Sequence, residues 1–181
     1  GEASINIGGA DLREAAYGML PEDERRLGHY LVGCYLEELG ESDPTMLTEH
    51  FERSGDLKRA IVLHTRAAER CYENNDLEGT LKRADKGLGC GAEGESRGAL
   101  YSLKSAAWFW TNDLENSYKT GSAALALLPT GTVEWCRALI FATGSAAALG
   151  KREQVSELAI RFGTITPVAE ILGTYIVGTS V

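Results

Sequence analysis

Gly89, Gly91 and Gly94 satisfy the spacing G-x-G-x-x-G, with which a tight backbone turn can hold a pyrophosphate at a helix N-terminus. That chemistry needs a strand feeding the turn. Residues 77–88 instead carry the three-and-four spacing of an amphipathic helix, and Glu93 and Glu95 would repel a phosphate. The segment is expected to be a loop between helices. No G-x-x-x-x-G-K-[ST] stretch is present, which excludes a P-loop, and no G-x-S-x-G elbow sets a serine for attack. His29, His50 and His64 include no H-x-x-x-H or H-E-x-x-H pair, so their spacing predicts structural histidines rather than a zinc site. Cys34, Cys71, Cys90 and Cys136 are widely spread without a C-x-x-C, which fits free thiols better than a metal knuckle or a disulfide scaffold. The acid runs Glu22-Asp23-Glu24 and Glu37-Glu38 fall on polar helix faces, where solvation accounts for them. The expectation is a chain that is not an enzyme, with no catalytic residues, metal or cofactor.

One feature points to recognition. Trp108, Phe109 and Trp110 are consecutive, and on a helix they point about 100° apart. They cannot all enter one interface. Either neighbouring helices cover both sides, or one ring is free to anchor a partner.

The charge balance narrows the partner. Asp plus Glu number 26 against 18 for Lys plus Arg, a formal net charge of −8. Phosphate backbones and anionic lipids are bound by clustered cations, so neither nucleic acid nor membrane is expected. The one basic cluster, Lys58, Arg59, Arg66 and Arg70, is diluted by Glu69 and Glu73 and reads as a solvated helix face. No apolar run reaches the roughly 18–20 residues that span a bilayer, and the N-terminal segment lacks the pattern of a secretory signal. A cytoplasmic location is the expectation.

The elements behind these residues are helices. Apolar and small residues recur at three and four through Leu57, Ala60, Ile61, His64, Ala67, Ala68 and Cys71. The same period runs through Leu77, Leu81, Ala84 and Leu88, through Leu100, Leu103, Ala107 and Trp110, through Leu114, Gly121, Ala124, Leu125 and Leu128, and through Trp135, Leu139, Ile140, Ala146 and Leu149. No stretch alternates with period two, so the fold class is all-α. The connections Gly55-Asp56-Leu57, Asn75-Asp76-Leu77, Asn112-Asp113-Leu114 and Gly150-Lys151 are short and alike. Gly or Asn can end a helix in the left-handed conformation and Asp can cap the next, which folds the flanking helices into antiparallel hairpins. Asn75 and Asn112 are 37 residues apart, Asn112 and Gly150 are 38 apart, and Pro129 and Pro167 each follow their turn by 17. A helix–turn–helix period of this length predicts stacked hairpins in a helical solenoid.

On these residues the chain resembles the tetratricopeptide repeat family. Tyr101, Trp108, the Asn112-Asp113-Leu114 turn, Ala124-Leu125 and Pro129 resemble one repeat. Weaker copies run from Leu139 to Pro167 and from His64 to Leu88. Gly121 stands where the family carries an aromatic, Ser105 and Thr143 replace small apolar residues, and the period exceeds the standard ~34. The front, LREAAYGML at 12–20, PEDER at 21–25 and LTEHFERSG at 47–55, is similar to a junction in large bacterial signalling proteins. There a signal-transduction ATPase module meets a tetratricopeptide tail, often in Ser/Thr kinases or transcriptional regulators. The resemblance implies an N-terminal helical segment at 1–43 that ends such a module. Helical repeats would follow at 44–181, with units at about 56–92, 95–129 and 132–167 and then a terminal helix.

The implied function is a non-catalytic scaffold binding a protein or peptide, including a domain of its own parent chain, in a concave groove. The rival is a sensor tail that binds a small ligand and controls an attached ATPase or kinase; an enclosed apolar pocket near Phe109 and Phe141 would favour it. Counting from the turns places a groove stripe on the first helix of each hairpin: Thr65, Glu69 and Tyr72, then Ser102, Ala106 and Phe109, then Arg137, Ile140, Phe141 and Gly144.

Overall fold

A computed structural model of the chain describes residues 9–40 and 44–163, with side chains from residue 14 in the first stretch and from residue 46 in the second. All regular structure among the described residues is α-helical. In chain order the helices are α1 (Gly9–Met19), α2 (Glu22–Glu38), α3 (Pro44–Ser54), α4 (Leu57–Glu73), α5 (Leu77–Gly89), α6 (Gly94–Trp110), α7 (Leu114–Leu125), α8 (Val133–Ala148) and α9 (Arg152–Gly163). None of them is long and apolar enough to cross a membrane. Pro167 and the expected terminal helix lie outside the described residues. The chain divides into two compact units, Gly1–Asp56 and Leu57–Val181. That grouping puts α3 with α1 and α2, whereas the sequence-based division at residue 43 would put it with the repeats.

The turns are made by the residues that the spacing marked. Gly55, Asn75, Asn112 and Gly150 have φ of 84°, 60°, 63° and 71°. After each of the last three, the next amide reaches back over the helix end. Asp76 N–H donates to Cys71 O at 2.8 Å, Asp113 to Trp108 O at 2.9 Å and Lys151 to Ala146 O at 2.9 Å. These bonds satisfy carbonyls that a helix end otherwise leaves open. Asp76 and Asp113 then cap the next helices, their carboxylates accepting from Gly79 N–H at 2.9 Å and Asn116 N–H at 3.2 Å. The glycine-rich decoy is a loop, since α5 ends at Gly89 and α6 starts at Gly94. It follows a helix and not a strand.

In the second unit each helix packs on the next, and α6 also packs on both α4 and α8. Side-chain size sets how closely they approach. Ser105 on α6, Ser117 on α7 and Ser145 on α8 are fully buried. Their hydroxyls bind one another's helices: Ser105 Oγ donates to Ser117 O at 2.9 Å, Ser117 Oγ to Ser105 O at 2.8 Å, and Ser145 Oγ to Ser117 Oγ at 2.8 Å. Gly121 completes the junction, because a Cβ there would lie 2.7 Å from Ser105 Oγ and 2.9 Å from Ala142 Cβ. The small residues at Gly121 and Ser105 therefore have one physical reason, the close approach of α6, α7 and α8. Around the junction, Leu125, Trp135, Leu139, Leu158 and Phe162 form one apolar core, and Ala68, Ala84, Leu100 and Leu103 form another. The expected stripes are buried or half-buried with two exceptions: Leu57 and Trp110 are exposed.

In the first unit, α2 packs on α3. Phe51 is fully buried, and its ring lies 2.9 Å from where a Cβ on Gly33 would be. Tyr30 meets that ring edge-on at 6.5 Å.

Two glycine substitutions separate packing from propensity. Gly121→Ala should destabilise by about 1–3 kcal/mol, because overpacking at the junction outweighs the gain in helix propensity. Gly89→Ala, where a Cβ meets no atom within 4 Å, should instead be neutral or stabilising by up to about 1 kcal/mol. Urea titration of both variants measures the contrast, and equal effects would mean that the junction is not close-packed.

Candidate functional site

The first helices of the three hairpins, α4, α6 and α8, meet along one side of the second unit, with α6 between the other two. Small residues on α6 let side chains from α4 and α8 reach each other across it. The Arg137 guanidinium lies over the Tyr72 ring, 5.7 Å from its centroid. The charges of Arg137 and Glu134 on α8 both act on Glu69 of α4.

The ten groove residues named from the sequence divide into four groups. Glu69, Tyr72 and Arg137 come together at the centre, all half-buried. Phe109, Phe141 and Gly144 come together at one end. The two phenyl rings are 5.3 Å apart, and a Cβ on Gly144 would lie 3.0 Å from the Phe109 ring. Thr65 lies at the other end, its hydroxyl donating to Ile61 O at 2.9 Å. Ser102, Ala106 and Ile140 offer little to a partner. Ser102 and Ala106 are fully buried beneath the channel, and Ile140 packs against the core around Leu139.

Sequence reasoning missed two parts of this surface. Trp110, counted in the buried stripe of α6, is 61% exposed and packs edge-on against Phe109 at 5.6 Å and Phe141 at 6.2 Å. The three rings pack against one another at this end of the channel. A cleft of about 320 Å³ also opens at the far end, walled by Ile61, Val62, Ala99, Leu128 and Pro129 and edged by Arg66, Glu95 and Glu134. The signal available for the cleft was Val62, an apolar residue off the core stripe and exposed.

The electrostatics single out Glu69. Burial pushes its carboxyl above the ordinary range, Arg137 opposes that shift, and the neighbouring Glu134 and Glu73 add to it. Glu69 makes no hydrogen bond or ion pair among the described residues. The Arg137 guanidinium has its own open position, since Nη1 is buried without a hydrogen-bond partner among the described residues. Two half-buried opposite charges that face each other without pairing are costly to hold.

No family model matches the chain, and no curated protein or solved structure is significantly similar to it.

The sign of the Glu69 effect follows from its raised value. Folding favours the protonated form, so this carboxyl supports stability at acidic pH and costs stability once pH rises through its folded value. Glu69→Gln should therefore be more stable than the native chain at pH 7, with the difference closing as pH falls toward about 4. Thermal melting across this range measures it; a Gln variant that is less stable at pH 7 would show that the carboxylate is held by contacts that outweigh its burial.

Proposed function

We propose that the chain is a non-catalytic interaction module, a tetratricopeptide-like stack of helical hairpins whose first helices present a binding channel to a protein segment. The observation that carries this reading is the exposed Trp110, held edge-on against Phe109 and Phe141 beside the half-buried pair Glu69 and Arg137. Large aromatic and Arg side chains with a fixed geometry dominate binding energies at protein interfaces. Unpaired charges that cost stability are common where a surface is kept for a partner.

The repeat reading draws support from the packing order. Each hairpin packs its two helices together, its second helix on the next first helix, and first helix on first helix. The recurrent turns and the period of 37 to 38 residues agree with that order. We place the chain in a signalling protein of the bacterial kind, as the interaction tail behind an ATPase module, because of the resemblance at 12–25 and 47–55. The cleft at the far end is open and the rings at the aromatic end pack on one another, which favours an extended polypeptide over an enclosed small ligand.

Recovery of proteins on the immobilised chain, repeated with Tyr72→Ala plus Trp110→Ala, tests the reading. Trp110 is exposed, so its loss leaves the core intact. A partner of the channel should bind the double variant at least about tenfold more weakly. A partner whose affinity survives both substitutions would place the binding function on another surface.

A further inference from the structure

In the first unit a hydrogen-bonded chain of side chains crosses three helices. The Tyr17 hydroxyl on α1 meets Nε2 of His29 on α2 at 2.8 Å, and Nδ1 of His29 meets Nδ1 of His50 on α3 at 3.0 Å. The imidazole centroids are 5.2 Å apart with the planes tilted by 48°. We propose that His29 and His50 form a transition-metal site that ties α2 to α3, taking a borderline divalent cation of the zinc or nickel kind through their Nδ1 atoms.

The geometry carries the proposal. A hydrogen bond between two imidazole nitrogens needs a proton on one and a lone pair on the other. When Nε2–H of His29 donates to the Tyr17 oxygen, Nδ1 of His29 is a bare lone pair that accepts from Nδ1–H of His50, and metal binding replaces that proton, which moves to His50 Nε2 or to solvent. Neutral imidazole nitrogen is the ligand that zinc and nickel prefer over the oxygen shells of magnesium or calcium. With Zn–N bonds of 2.0–2.1 Å, two nitrogens on one tetrahedral zinc lie about 3.3 Å apart, so the observed pair needs to open only slightly. Tyr17 acts as a positioning residue, fixing the ring from its far nitrogen as outer-shell partners do in metal sites. The remaining coordination positions fall to water.

The surrounding charges do not forbid a cation. Arg53 acts on His29 against a positive charge, more strongly than Glu49 acts in its favour, but Arg53 is itself ion-paired with Glu49 at 2.6 Å. Arg25 lies over the Tyr17 ring at 5.6 Å and is paired with Glu22 at 2.9 Å. The two histidines are 21 residues apart in sequence, a spacing with no motif, so only the packing of α2 on α3 brings them together. The site lies within the first unit, and the inference does not depend on the proposed function.

Zinc chloride titrated into the full-length chain in reducing buffer, followed by calorimetry and thermal melting, tests it. Zn²⁺ should raise the melting midpoint while Mg²⁺ at the same concentration leaves it unchanged. The Zn²⁺ site should be lost in His29→Gln and in His50→Gln, and Tyr17→Phe should weaken it about tenfold. In the unsubstituted chain, the ring-nitrogen resonances of His29 and His50 should move together on adding zinc. That measurement decides the matter by itself if a variant folds poorly. Zinc affinity within about twofold of native in both histidine variants, or two unmoved Nδ1 resonances, would overturn the site.

Discussion

Close approach of α6, α7 and α8 is the constraint on which the second unit depends. Three helices can meet at one point only where their side chains are nearly absent, and Gly121, Ala142 and three serines supply that. Serine is an unusual choice for a dry junction, because a buried hydroxyl without a partner costs free energy. Here each hydroxyl is used, and two of them close on the backbone of the facing helix. The same bonds fix the rotation of α6 about its own axis. That rotation points Phe109 at Phe141 and leaves Trp110 in solvent. The shape of the channel's aromatic end is thus set from behind, by the smallest side chains in the unit.

The channel has the opposite character. Its central charges are half-buried without an ion pair, and the carboxyl of Glu69 is pushed up mainly by loss of water. The three junction serines all use their hydroxyls, whereas the channel leaves a carboxylate and a guanidinium nitrogen without a hydrogen bond among the described residues. Local rules met in the interior and broken on one face are the usual sign of a surface shaped for something other than stability.

Turns and helices could be read from residue types because their causes are local. Asn75 and Asn112 adopt the left-handed conformation, and the Asp residues after them cap, through bonds that close within a few residues of chain. The stripes through Leu100, Leu103 and Leu139 followed from period alone. The failures share a different cause. Trp110 fits the stripe of α6 by spacing, yet it sits in the last turn, where α6 has run past the helices that cover Leu103 and Ala107. Ser102 and Ala106 were assigned to the groove by the same counting. They are buried because the side chains of α4 and α8 close over α6, which one helix's periodicity cannot report. The meeting of His29 with His50 depends on how α2 lies against α3, and no spacing encodes it.

The turns carry a consequence for ancestry. Each ends one helix, reverses the chain and starts the next with bonds confined to its own short stretch. The segment from one such turn to the next, the second helix of one hairpin and the first of the following one, can be copied or lost by a single event in the gene without altering how the remaining turns are closed. What must then be renegotiated is only the packing between hairpins, and there a glycine, an alanine or a serine is one nucleotide change from several larger residues. Helices joined this way can therefore change in number quickly and adjust their fit slowly, and irregular spacings such as 37 beside 38 are the trace such a history would leave.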